Sequence, residues 1–152
     1  MKIEKSSITK ILITDIDRLD PVSVYAEDLG PHQGKITITC YGKAWTAYWS
    51  GMGDLTISEF FVSCDEHYIA NKLSDINSES FDIDAIRKDA EEKGVECWRD
   101  DPWNDYEFMK DMYGPDMVDW SDKLPKKTNH EYEYLCRIIK AVQYAFRVKQ
   151  AA

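Results

Sequence analysis

The sequence predicts an α+β fold. A four-stranded antiparallel meander at the N-terminus is followed by about four to five helices packing on one sheet face. Three observations predict it. Apolar residues alternate with polar ones through the first third of the chain. From Thr56 onward the apolar spacing changes to three and four, and cap residues open the apolar runs. Strands come first and helices afterwards, which separates this pattern from alternating βαβ units.

The strands read in order. "ITKILITDI" is rich in β-branched residues, and "PVSVYAED" puts Val22, Val24 and Ala26 on one face. "KITITCY" sets Ile36, Ile38 and Cys40 against Thr37, Thr39 and Tyr41. "AWTAYWS" sets Trp45, Ala47 and Trp49 against Thr46 and Tyr48. Period 2 of this kind means half-buried strands. Gly42 in "YGKA" suits the positive φ of a tight hairpin between the last two.

The helices follow. "TISE" at 56–59 is a capping box. The next run reads as one bent helix or two short ones, with Asp65 able to cap the second. "DIDAIRKDAEEKG" runs from a capping Asp82 to Gly94, and "DPWNDYEFMKDMYGP" has Asp101 as cap and Pro102 at the first helical position. "TNHE" at 128–131 is a second capping box, opening a helix to about Lys149. That helix carries an apolar stripe (Leu135, Ile138, Ile139, Val142, Ala145, Phe146) and a basic side with Arg137, Lys140 and Arg147. "SDINSES" (74–80) and "WSDKLPKKTN" (120–129) read as linkers.

A chain of 152 residues fits one domain, 1–152. It divides by composition into a sheet region (1–53), an acidic helical region (54–122) and a basic amphipathic C-terminal helix (123–152). The first carries six acids and six bases, the second twenty and six, the third two and seven. The net charge of −9 therefore conceals a middle at −14. Such a middle repels nucleic acid and anionic membranes and attracts basic partners. Cys40, Cys64, Cys97 and Cys136 are widely spaced without a CxxC pair, which suits reduced thiols. The N-terminal residues show no cleavage site, and no run is long enough to cross a bilayer. The expected location is the cytoplasm of a bacterial host.

Catalytic motifs are absent: there is no nucleophile elbow, phosphate loop or HExxH. Cys64 and His67 have the C-x-x-H spacing of half a zinc site, but a structural site needs four ligands and no second half is visible. A Cys64–His67 nucleophile has no specific support beyond the two residues. The expectation is no enzyme, no metal and no cofactor. Trp45 and Trp49 share one side of a strand with Ala47 between them. Such a pair can stack bases when a positive groove lies beside it, here from Arg137, Lys140 and Arg147. The plain alternative is that both rings pack beneath a helix.

The acidic middle is the stronger anomaly. "ECWRDDPWNDYEFMKDMYGPDMVDW" sets Trp98, Trp103, Tyr106, Phe108, Tyr113 and Trp120 among many carboxylates. Spaced carboxylates can imitate a phosphate backbone, and apolar anchors beside them supply the centre that a protein interface needs. The candidate contact residues are Asp101, Trp103, Asp105, Tyr106, Met109, Asp111, Tyr113 and Asp116. The alternative is a solvated acidic face.

The stretch "KITITCYGKAWTAYWSGMG…TISEFFVSCDEHYIANKL", residues 35–73, resembles small accessory proteins of temperate phages and prophages of enteric bacteria. The likeness lies in the W-x-x-x-W strand, the glycine break and the "EFF…C…Y…L" helical run. The resemblance transfers no catalytic residue. It implies context: phage accessory genes often encode small, acidic inhibitors of host enzymes or defence systems. Joined to the acidic middle, the expectation is a non-enzymatic accessory protein that binds and occludes a basic surface of a host protein, as an inhibitor or a nucleic-acid mimic. A homodimer is compatible with this. The alternative is a nucleic-acid-binding domain using Trp45, Trp49 and the basic helix.

Overall fold

Alternating side chains need a helical layer on one side of the sheet only, and the chain is built that way. The computed structural model describes residues 1–151. In chain order the elements are β1 (Thr9–Ile13), β2 (Val22–Gly30), β3 (Gln33–Cys40), β4 (Lys43–Trp49), α1 (Ile57–Ser63), α2 (Glu66–Leu73), β5 (Glu79–Phe81), α3 (Ile83–Lys93), α4 (Tyr106–Tyr113), α5 (Trp120–Lys123), β6 (Lys126–Thr128) and α6 (His130–Ala151). The chain forms two compact units, Met1–Ile76 with His130–Ala152, and Asn77–Asn129.

The first unit holds the predicted meander, in the order β1-β2-β3-β4 and antiparallel throughout. Cys40 pairs with Lys43, leaving Tyr41 (φ 47°) and Gly42 (φ 75°) as a two-residue turn with both centres left-handed. That is the geometry a right-twisted hairpin prefers. Val22, Val24, Ile36, Ile38, Cys40, Ala47 and Trp49 are buried and meet α1, α2 and α6. Gly34 lets α1 come close: a Cβ there would lie 2.8 Å from Ile57 Cβ. On α6, Leu135, Ile138, Ile139 and Val142 are fully buried. Each contributes roughly 1.5–3 kcal/mol of transfer free energy, opposed by the entropy of ordering.

The caps at the starts of α1 and α2 form as expected. Glu59 N donates to Thr56 Oγ1 at 3.3 Å while Thr56 N donates to Glu59 Oε2 at 2.9 Å. Two short helices form rather than one bent one, because Asp65 Oδ1 accepts from His67 N at 2.9 Å and opens α2. The buried polar Gln143 on α6 is satisfied by the C-terminal end of α1: its Nε2 donates to Phe61 O at 3.0 Å and Cys64 O at 2.8 Å. These carbonyls are among those a helix C-terminus leaves unpaired.

The second unit has its own core of Ile86, Ala90, Phe108, Met109, Met112, Trp120 and Leu124. Its helices are thus packed around one another, which the sequence reading did not separate from the sheet-covering helices. The two expected linkers contain paired strands: β5 and β6 match Glu79 with Thr128 and Phe81 with Lys126. Asn129 N→Ser78 O (2.9 Å) and Asp82 N→Pro125 O (2.8 Å) extend this tie, so the entry and exit of the unit lie side by side. Two cap assignments shift. Pro102 opens a 3₁₀ turn ending at Asn104, and α4 starts at Tyr106 with Asp105 as its cap, accepting from Phe108 N at 3.2 Å. Thr128 belongs to β6, so α6 starts at His130 and the "TNHE" box is not centred on Thr128.

Candidate functional site

The second unit gathers the charge. Residues 77–129 carry fifteen acids and eight bases, net −7, while the rest of the chain stands at −2. Helix capping fixes some of the carboxylates. Asp82, Asp105 and Asp116 accept from the backbone N–H groups of Ala85, Phe108 and Val118. Arg87 pairs with Asp100 at 2.6 Å, Arg99 with Asp101 at 3.2 Å and Asp105 at 4.0 Å, and Lys110 with Glu107 at 3.7 Å. The hydrogen bonds from Asn104 and Arg99 hold the Asp101 carboxyl below its ordinary value. Asp84, Glu91, Glu92, Glu96, Asp111 and Asp122 are exposed and form no ion pair among the described residues. Carboxylates left unpaired at a surface keep their field, screened over about 8 Å at physiological ionic strength.

The expected aromatic anchors divide. Tyr106 is exposed, its ring 5.6 Å from that of Trp120 and 5.9 Å from Lys110 Nζ. Met109 is 1% exposed and belongs to the core, so it is removed as a surface anchor. Trp103 is half-buried against Phe81, with ring centroids 4.9 Å apart. Tyr113 is half-buried under Lys93, its hydroxyl enclosed without a hydrogen-bond partner among the described residues, and burial pushes its pKa up. Asp111 and Asp116 are exposed, while Asp101 and Asp105 are half-buried.

The residue missed as an anchor is Trp98, 77% exposed with the Arg99 guanidinium 5.7 Å from its ring. Its signal was position. Trp98 lies between the Gly94 that ends α3 and the Pro102 turn, outside any helical stripe that would bury it. An indole this exposed in a polar loop costs free energy in water that a partner's pocket can recover.

The other candidates are placed elsewhere. Trp49 is buried, its Nε1 donating to Tyr68 OH at 3.1 Å and its ring facing Phe60 and Phe61 at 5.6 and 6.5 Å. Trp45 is half-buried against the same core. Arg137, Lys140 and Arg147 are exposed on α6, whose opposite stripe is buried in that core. Trp49 is packed into the core and Trp45 partly so, which leaves no free pair of rings on the sheet to stack bases. Lys140 is paired with Glu66 at 3.0 Å.

His67 Nδ1 and the Tyr132 hydroxyl are 2.9 Å apart, and the two rings stack at 6°. Burial pushes the Cys64 thiol up, away from the thiolate that a nucleophile or metal ligand needs. Among the described residues no three His, Cys, Asp or Glu side chains are grouped to hold a metal ion, and no helix is long and apolar enough to cross a membrane.

An antiparallel sheet under helices, joined in one chain to an acidic helical unit, defines an α+β protein with a charged insert. The chain belongs to the Phage_phiTE_072 family, a phage protein family whose model matches residues 1–148. The phage character first read over residues 35–73 is thus supported over nearly the whole chain, with no bearing on enteric hosts. No curated protein and no solved structure matches it.

Proposed function

We infer that this phage protein is a non-enzymatic accessory protein whose acidic unit, residues 77–129, binds and occludes a basic surface of a host protein. The observation that carries this reading is the concentration of unpaired surface carboxylates in a unit that also exposes Trp98. Long-range attraction steers the encounter, and the exposed rings of Trp98 and Tyr106 provide the apolar contact. A host surface of this kind is one that ordinarily holds a polyanion, so the protein acts as a competitor of nucleic acid for its partner. Catalysis has no part in the reading.

The test is capture of partners from host lysate on immobilised protein, followed by affinity measurement at rising salt. Affinity should fall by at least roughly tenfold between low and high salt, and the captured protein should lose its bound DNA or RNA. Trp98→Ala should weaken the complex by about 2 kcal/mol or more. Binding that ignores both salt and Trp98 removes the proposal.

A further inference from the structure

In the first unit, β1, β2, the start of α1 and the end of α6 enclose a cleft of about 290 Å³. Its cause lies in the sequence. Thr9 and Ala26 are direct partners on β1 and β2, at positions that line the cleft on the helix-covered side of the sheet. Their short side chains leave open the space that a leucine at either position would fill. The floor is apolar, made by Ile11, Ile57 and Phe146. Ile57 and Phe146 are core residues, 2% and 3% exposed, so the floor is fixed by packing.

The cleft also presents two opposite charges. Asp28 is oriented by the backbone, with Oδ1 accepting from Ile57 N at 2.7 Å. Lys149 comes from the last turns of α6 and lines the same cleft. The two do not pair with each other, and among the described residues neither is in any ion pair. An anion and a cation that line one cleft without pairing, over an apolar floor, match a small molecule carrying both charges on an apolar body. The volume lies just below the usual range for ligand pockets, about 300–1,000 Å³, which limits the occupant to a small metabolite.

We propose that this cleft binds a small zwitterion of the amino-acid class with an apolar side chain. The ammonium faces Asp28, the carboxylate faces Lys149, and the side chain lies on Ile11, Ile57 and Phe146. The site is independent of the acidic unit and stands or falls apart from the partner-binding reading.

Amide chemical shifts of the full chain, titrated with L-leucine and L-phenylalanine, test it. The controls are 3-methylbutylamine and 4-methylpentanoate, which keep one charge of leucine each. Saturable shifts at Ala26, Ile57 and Ser58 are expected with at least one amino acid, and roughly tenfold weaker binding with either control. Lys149→Gln, on an exposed helix end, should weaken binding by about tenfold with an unchanged melting temperature. Ala26→Leu should abolish it by filling the cleft. No saturation by either amino acid, equal binding of the single-charge controls, or full binding by the Lys149→Gln protein overturns the proposal. Because Lys149 lies outside the core, that arm stays decisive even if Ala26→Leu disturbs folding.

Discussion

The two units reach stability by different routes. Among the described residues, the first clusters twenty buried side chains between a sheet and three helices, and its strands are held by consecutive hairpins. The second clusters seven among helices of eleven residues or fewer, closed by a three-residue strand pair. A unit of this size buries a smaller fraction of its surface, so its margin is thinner. It also carries most of the excess negative charge, whose self-repulsion opposes compaction. The difference teaches that the region with the most distinctive surface is also the one least supported beneath it.

The largest expected effect tests the robust side of that contrast. Phe61 is fully buried, edge-on to Trp49 at 6.5 Å and to Phe146 at 5.8 Å. Phe61→Ala removes the ring that joins sheet, α1 and α6, and should cost about 3–5 kcal/mol in urea unfolding. A loss below about 1 kcal/mol would mean that the cluster relaxes freely and that the first unit is not the tightly packed one.

A smaller effect tests the other side. Met109 lies at the centre of the second core, 1% exposed. Met109→Ala should cost about 2–4 kcal/mol, enough to open a thin-margined unit. Hydrogen exchange should accelerate in α3 and α4 while β2, β3 and α6 keep their protection. Equal acceleration in both units would break the comparison and make the chain one cooperative body.

These contrasts were unevenly legible in the sequence. The meander was readable because period 2 and the left-handed Gly42 turn are local signals. So were the caps at Thr56, Asp65 and Asp82, where side chain and amide are at most three residues apart. β5 and β6 were not, since three exposed residues show no alternation and their partners lie some fifty positions away. At Asp101 and Asp105 the sequence offered two caps, and Pro102 drew the choice to the wrong one by opening a 3₁₀ turn instead. The charge of the candidate site could be counted from residues alone. Which apolar side chains it exposes was harder to read, because Tyr106 and Met109 sit on the same short helix and only packing exposes the one and buries the other.

The smallest effect compares how the units respond to acid. In the first, Thr56 N–H and hydroxyl donate to Glu59 and hold its carboxyl below the ordinary value. In the second, Asn104 and Arg99 do the same for Asp101. A carboxyl with a depressed folded-state pKa contributes stability above its unfolded value, and that contribution is lost as pH falls through the folded one. Both units should therefore weaken on acidification below the ordinary carboxylate range, each by a modest amount because both groups face solvent. Glu59→Gln should flatten the acid dependence of exchange at the start of α1 and leave the Pro102 turn unchanged, and Asp101→Asn should do the reverse. If either substitution flattens both, the acid response belongs to the summed charge of the chain rather than to these hydrogen bonds, and the second unit, with net −7, then gains more than the first as its carboxylates are neutralised.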